Sequence, residues 1–159
     1  MKEPQLLCPI LAFRARTLLA VGHEQQADTD ASELLAMLAQ QGVLPTAPDW
    51  SGDLAVVLQA LGRGAELVEL LTEAKTSTPW LEAAAAVAAG DWQRAADLYE
   101  QMEAGPDAAF ARLQAAKLLV RAGRRAEANE QLSRALDFYR QVGAIGYLGE
   151  ADALAAASA

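Results

Sequence analysis

One cysteine and one histidine, Cys8 and His23, are all that this 159-residue chain contains of either type. A single thiol excludes an intramolecular disulfide and fits a reducing compartment. A single imidazole without clustered Cys, Asp or Glu partners makes no metal site. In the turn after Gly22, His23 reads as an exposed turn residue. A Cys–His nucleophile needs an orienting third group and an oxyanion donor set. Cys8, next to Pro9, has neither in view and reads as a buried structural residue. Ser51, Ser133 and Ser158 lack the glycine frame of a nucleophile elbow. Phosphate loops are missing as well. No GxxxxGK occurs, "GRGAEL" (62–67) lacks the third glycine of a dinucleotide loop, and "GAIGYLG" (143–149) has no lysine and no preceding strand. The last of these reads as a helix stop, a short turn and a new helix.

Other absences bound the fold and the location. Aromatic residues are only 6% of the chain. Strand-type residues are sparse, and no stretch alternates apolar and polar over a strand length. No segment approaches the roughly 20 apolar residues of a membrane span; "LEAAAAVAAG" is too short and too rich in alanine. The opening "MKEPQLLCPILAFRARTLLAVG" is interrupted by Arg14 and Arg16 and shows no small-residue cleavage site after a proper apolar core. A cytoplasmic protein is expected, with no membrane partner and no cofactor or metal.

What is present is alanine, which supplies much of a hydrophobic content of 53%. Alanine is the best helix former and lets helices approach closely, so the fold class is all-α. The net charge is −8 and the pI is near 4.6. That balance opposes direct nucleic-acid binding, whose affinity comes largely from phosphate neutralisation. The charge is uneven. Acids dominate from Glu24 to Asp107, whereas bases dominate from Arg112 to Arg140. Such a distribution allows head-to-tail packing or docking of a partner at either end; the plainer reading is solvated helix faces.

A repeat emerges when the chain is aligned on Gly22, Gly62, Gly90 and Gly123. Seven residues before each glycine stands Ala15, Ala55, Ala83 or Ala116. Five after stands Ala27, Leu67, Ala95 or Ala128; nine after, Ala31, Leu71, Tyr99 or Leu132; twelve after, Leu34, Ala74, Met102 or Ala135. A small residue is needed where two paired helices cross closely, and glycine permits the tight turn between them. The spacing predicts helix pairs at about 6–21 with 24–41, 50–61 with 64–75, 79–89 with 92–104, and 106–122 with 124–142. A last helix is expected at about 146–157. Thr78 with Pro79 signals one helix start, Pro106 another, and Asp91 is placed to cap the helix after Gly90. "GVLPTAPDWSGD" (42–53) is the longest connector. In the last pair, Ala128, Leu132, Ala135, Tyr139 and Val142 step by 4, 3, 4, 3 and form the expected buried stripe, with Glu130 and Arg134 at a favourable i, i+4 spacing.

This pattern resembles the tetratricopeptide repeat. The fourth unit carries the resemblance through Ala116, Gly123, Ala128, Leu132 and Ala135, and the third through Ala83, Gly90, Ala95 and Tyr99. The second has Leu67 where the family prefers alanine, the first has the small Ala31 at a bulky position, and the glycine intervals of 40, 28 and 33 residues depart from a strict period. The implied fold is a degenerate tetratricopeptide-like α-α superhelix: one domain over 1–159, a right-handed array of about four helical hairpins (6–41, 50–75, 79–104, 106–142) and a C-terminal capping helix. The last half, "TPWLEAAAAVAAGDWQRAADLYEQM" and "PDAAFARLQAAKLLVRAGRRAEANEQLSRALDFYRQVGAIGYLGEADALAAA", also looks like the C-terminal helical region of large bacterial signalling proteins. Those proteins join such a tail to a predicted NTPase module, many with a class III adenylate or guanylate cyclase domain and others with a transcription-regulator domain. The resemblance implies a fragment or free-standing relative and transfers no catalysis to this chain.

It also implies where binding would occur, because in such stacks the first helix of each pair lines the concave groove. Phe110, Leu113, Lys117 and Arg121 fall at that place in the fourth unit; Ser77, Trp80, Ala84 and Ala88 match them in the third. Trp80, Ala84, Phe110, Leu113, Lys117 and Arg121 are the candidate site: an aromatic and aliphatic floor with two cations at one end, suited to an apolar peptide or helix with an acidic terminus. The asparagines of the family's carboxylate clamp are missing. The plainer alternative is that Trp80, Phe110 and Leu113 are covered by neighbouring helices, the last one included. Asp91, Asp97, Glu100 and Glu103 read as mostly solvent-facing. The expected function is a non-catalytic regulatory module that engages a protein, a peptide or other domains of a parent protein. The competing expectation is a sensor domain that takes a small-molecule effector among Trp80, Phe110 and Lys117.

Overall fold

A computed structural model describes residues 4–41, 50–74 and 77–158. Among them the chain is all-helical. The helices are α1 (Pro4–Ala20), α2 (Glu24–Gln41), α3 (Trp50–Ala60), α4 (Gly64–Glu73), α5 (Pro79–Ala88), α6 (Trp92–Gln101), α7 (Gly105–Arg121), α8 (Arg125–Val142) and α9 (Ile145–Ser158). Every expected helix is present, with ends shifted by at most three residues. Of the expected connector at 42–53, residues 42–49 lie outside the described residues, and the rest, from Trp50 on, is not loop but the first turn of α3.

The four aligned glycines all take positive φ: 83° at Gly22, 73° at Gly62, 77° at Gly90 and 73° at Gly123. Three of the turns repeat one hydrogen-bond pattern. The amide of the glycine donates to the carbonyl three residues back, and the next amide donates to the carbonyl five back: His23 to Leu18 (2.8 Å), Arg63 to Leu58 (2.7 Å) and Arg124 to Leu119 (2.9 Å). This 6→1 pair closes a helix on a left-handed residue and starts the return helix at once. The turn from α6 to α7 uses the same pattern, Ala104 to Tyr99 at 2.9 Å, but its left-handed residue is Glu103, at φ 58°. Thr78 caps α5 by accepting from the Leu81 amide at 3.3 Å, and Asp91 caps α6 by accepting from the Arg94 amide at 3.2 Å. Pro106 lies in the first turn of α7, but Ala104 occupies the cap position and offers no side-chain acceptor.

Two compact units divide the chain at Gly90. In the first, α1 packs on α2 and α3, and α3 and α4 pack on α5. Gly64, the first residue of α4, sits so close to α5 that a Cβ there would lie 1.9 Å from the Ala88 carbonyl oxygen. In the second unit α7 is surrounded by α6, α8 and α9, and α9 also lies along α8.

The repeat columns are core columns. Ala15, Ala55, Ala83 and Ala116 are each 0% exposed, and Ala27, Leu67, Ala95 and Ala128 are no more than 1% exposed. The later columns bury Ala31, Tyr99, Leu132, Leu34 and Ala135, whereas Leu71, Ala74 and Met102 are only half-buried. In α8 the expected stripe holds from Ala128 to Tyr139; Val142 is 55% exposed, because the helix ends one residue later at left-handed Gly143.

Ala116→Trp drives an indole into a crossing with no free space, at a cost of about 3 kcal/mol or more, and thermal unfolding followed by circular dichroism should show a melting temperature lowered by several degrees. Unchanged melting would contradict the crossing. Glu103→Gly relieves a left-handed side chain and should raise stability by about 0.5–1 kcal/mol, read from the denaturant midpoint.

Candidate functional site

The six expected site residues divide between the two units: Trp80 and Ala84 on α5, Phe110, Leu113, Lys117 and Arg121 on α7. Two of them line no surface. Ala84 is 0% exposed, as is Leu113. Leu113 belongs to the core of the second unit with Ala116, Leu132, Leu136 and Tyr139. At about 100° per residue it lies roughly 60° around α7 from Phe110, enough to turn it under α8. Ala84 shares α5 with the buried Leu81, Ala83, Val87 and Ala88. Trp80 is half-buried, and Ser77 at the start of that helix is exposed and donates to a Glu82 carboxylate oxygen at 2.9 Å.

Along one face of α7 run Phe110, Gln114, Lys117 and Arg121, stepping by 4, 3, 4, with the exposed Leu118 beside them. The first three are half-buried and Arg121 is exposed. Gln114, not Leu113, completes this face, and its side-chain oxygen accepts from Lys117 Nζ at 3.4 Å. Lys117 also pairs with Glu150 of α9 at 2.5 Å. Phe110 stands in a row of rings. Its centroid is 6.0 Å from Trp92 and 6.4 Å from Tyr147, both edge-on. Tyr147 in turn stacks on Tyr139 at 5.0 Å, with the planes 11° apart. Edge-to-face and offset stacking both suit the ring quadrupoles. The last helix thus partly covers Phe110, as the plainer reading expected. The second unit is left with a half-covered aromatic edge ending in the exposed Arg121 cation.

A polar network that the sequence reading missed lies on the opposite flank of α7. Arg112 is 2% exposed. Its guanidinium donates to Asp97 at 2.6 Å, to Gln131 at 2.7 Å and to Glu100 at 3.3 Å, and Glu100 also receives Arg134 of α8 at 2.5 Å. Burial alone would lower the Arg112 pKa; the hydrogen bonds to Glu100 and Asp97 outweigh it, so the group is held firmly charged. Arginine suits this place because its planar fork serves several acceptors at once. Asp97 and Glu100 keep part of their surface in water, as expected, yet they clamp α6 to α7 and α8. A faint signal was available: an acidic i, i+3 pair on α6 faces the one arginine among the apolar positions of α7.

The remaining candidates carry no assembled chemistry. Cys8 is 1% exposed, and burial pushes its thiol pKa up, away from the reactive thiolate. His23 is exposed in the Gly22 turn. Among the described residues no three His, Cys, Asp or Glu side chains group as metal ligands would. No described helix is long and apolar enough to cross a membrane. An open cleft of about 440 Å³ lies between α2 and α4, lined by Leu38, Ala39, Leu70 and Ala74 with Glu66, Glu69 and Glu73. Glu66 is held below the usual carboxylate range by its hydrogen bonds from Arg63, which also reaches Asp28 and Ser32 of α2.

The Tyr139 hydroxyl is buried and meets no hydrogen-bond partner among the described residues. Burial, with the nearby Tyr147 and Glu150, raises its pKa well above the usual phenol value. A raised folded-state pKa means that the folded form is favoured while the phenol stays neutral, and that this advantage fades as pH climbs past about 10. Tyr139→Phe should therefore gain about 1 kcal/mol at neutral pH and melt with a shallower decline between about pH 9 and 11, as differential scanning calorimetry would show.

No family model, no curated protein and no solved structure matches this chain.

Proposed function

We propose that this chain is a non-catalytic interaction module: a tetratricopeptide-like stack of about four helical hairpins capped by α9, working in the cytoplasm as the C-terminal regulatory part of a larger bacterial signalling protein. The observation that supports it most is the recurrence of one hairpin register, in which four positive-φ glycines each follow a fully buried alanine by seven residues. Repeats of this kind stack by presenting one hairpin to the next and leave extended faces for partners. The α7 face supplies the recognition chemistry. Phe110 and Gln114 give an apolar and amide surface, and Arg121 gives an exposed cation for an acidic group on a peptide, helix or neighbouring domain. Binding there would bias an attached NTPase, cyclase or transcription module.

The test is an immunoblot of the native host's lysate with an antibody against this domain, followed by a pull-down. A band several times the calculated 16.8 kDa is expected, and Arg121→Glu should weaken capture of the bound partner at least tenfold. A band at 16.8 kDa would instead make the chain a free-standing adaptor. A metabolite that raises the melting temperature by several degrees, and does so less in Arg121→Glu, would replace the protein partner with a small effector.

A further inference from the structure

In the second unit the chain itself supplies a helix to the α7 face. α9 lies against α7 and α8 through Tyr147, Leu148, Glu150, Ala151, Leu154 and Ala155, a 3–4 spacing that turns one helix face to the seat. Ala151 is 0% exposed within the core of the unit. Tyr147 meets Phe110 edge-on and stacks on Tyr139, and three residues later Glu150 pairs with Lys117 at 2.5 Å. Phe110 precedes Lys117 on α7 as Tyr147 precedes Glu150 on α9, so the two helices run in the same direction. The occupied seat therefore states what a helix needs in order to bind there: an aromatic residue, a carboxylate three residues on, and small or aliphatic residues beside them.

By itself α9 is a weak helix. Gly149 stands in its interior and Gly146 in its first turn, and glycine gives up more backbone entropy in a helix than alanine does. A Cβ on either would meet nothing within 4 Å, and neither has a positive φ, so no close approach and no left-handed turn calls for glycine. α7 and α8 each carry an acid in the first turn and an arginine in the last, in step with the helix dipole. α9 carries neither, and Ala144 before it has no side-chain acceptor. Under the stacked Tyr147, the Tyr139 hydroxyl is buried without a hydrogen-bond partner among the described residues, a penalty that lasts while α9 is docked. The seat also offers more than α9 takes. One turn beyond Lys117 stands the exposed Arg121, with no ion-pair partner among the described residues. One turn beyond Glu150, α9 carries Ala153 and Leu154.

We infer that the seat of α9 on α7 and α8 is the binding groove for a helix of another protein, one that carries an aromatic residue, a carboxylate three residues later and a second carboxylate a further turn on, and that α9 is the displaceable resident of this groove. The inference rests on the reading of the chain as an interaction module and adds to it the partner's pattern and its control. The aromatic residue takes the place of Tyr147 against Phe110 and Tyr139, the first carboxylate takes Lys117, and the second takes Arg121. A partner helix free of glycine forms these contacts at a smaller entropic cost than α9, and its second charge adds a pair that α9 does not make. While no such partner is present, α9 keeps the aromatic edge partly covered. A helix that lacks the second carboxylate holds little advantage over α9, so the resident helix also sets the selectivity.

The experiment is fluorescence anisotropy with a labelled peptide that spans residues 144–158 and carries Gly146→Ala, Gly149→Ala and Ala153→Glu, titrated with the full 159-residue chain. Saturable binding is expected. In the chain, Tyr147→Ala loosens α9 and should tighten peptide binding about tenfold, whereas Gly146→Ala with Gly149→Ala firms α9 and should weaken it about fivefold. Arg121→Glu should weaken binding of this peptide about tenfold and leave binding of a peptide that keeps Ala153 nearly unchanged. No binding to the unaltered chain or to its Tyr147→Ala form would overturn the inference, as would binding that ignores the state of α9. An unaltered chain that dimerises as its concentration rises, and stays monomeric as Tyr147→Ala, would give the groove to the α9 of a second copy and also overturn it. Partner capture that Arg121→Glu weakens, beside a peptide that fails these tests, would leave the interaction-module reading standing and overturn this inference alone.

Discussion

The enclosure of one alanine ahead of each glycine turn is the constraint on which the rest of this structure depends. Seven residues before each turn the side chain is reduced to a methyl group, and at all four places that methyl group is fully enclosed. A methyl group contributes little apolar area, so the crossing is not where most burial energy resides. Its effect is geometric. Small side chains here let the larger residues of neighbouring helices, such as Leu113 of α7 and Leu132 of α8, pack into one core. A chain with so few aromatics fills its core by proximity and not by bulk.

That economy leaves gaps which polar and aromatic groups fill in the second unit. Arg112 binds three helices together where an aliphatic side chain would have joined two. The ring row from Trp92 through Phe110 and Tyr147 to Tyr139 draws on α6, α7, α9 and α8 in turn. The first unit uses ion pairs for the same purpose: Arg14 with Asp30 of the return helix, Arg16 with Asp53, and Arg63 with Asp28. Arg63 and Arg124 each follow a turn glycine and each grip the glutamate three residues on. Among the described residues, Arg63 alone of the two continues to another helix. The repeat therefore extends to charge, and its degeneracy shows in how far each charge reaches.

Helix positions were legible because glycine, proline and capping residues act locally. Thr78, Asp91 and the four turn glycines state their roles within a few residues of chain, and the structure places helix ends accordingly. Glu103 was illegible for the opposite reason: nothing in its side chain announces a left-handed turn. The buried columns were legible as periodicity. The candidate surface was less so, because periodicity states that a helix has an inner and an outer side without stating how many neighbours crowd it. On α7, with three, Leu113 turned inward and Gln114 outward. Arg112 escaped notice because charge was counted along the chain and not placed around the helix. Tyr139 was expected to be buried, but the missing partner of its hydroxyl is a property of its surroundings alone.

The α-carbon of Gly64 stands where even a methyl group would meet the Ala88 carbonyl at 1.9 Å. Between hydrogen and methyl there is no intermediate side chain, so natural selection cannot tune this joint in small steps. Drift at most positions of a helical hairpin is graded, one methylene at a time. Here the choice is binary, and a lineage that replaces the glycine must re-seat the whole of α4 against α5 in the same event.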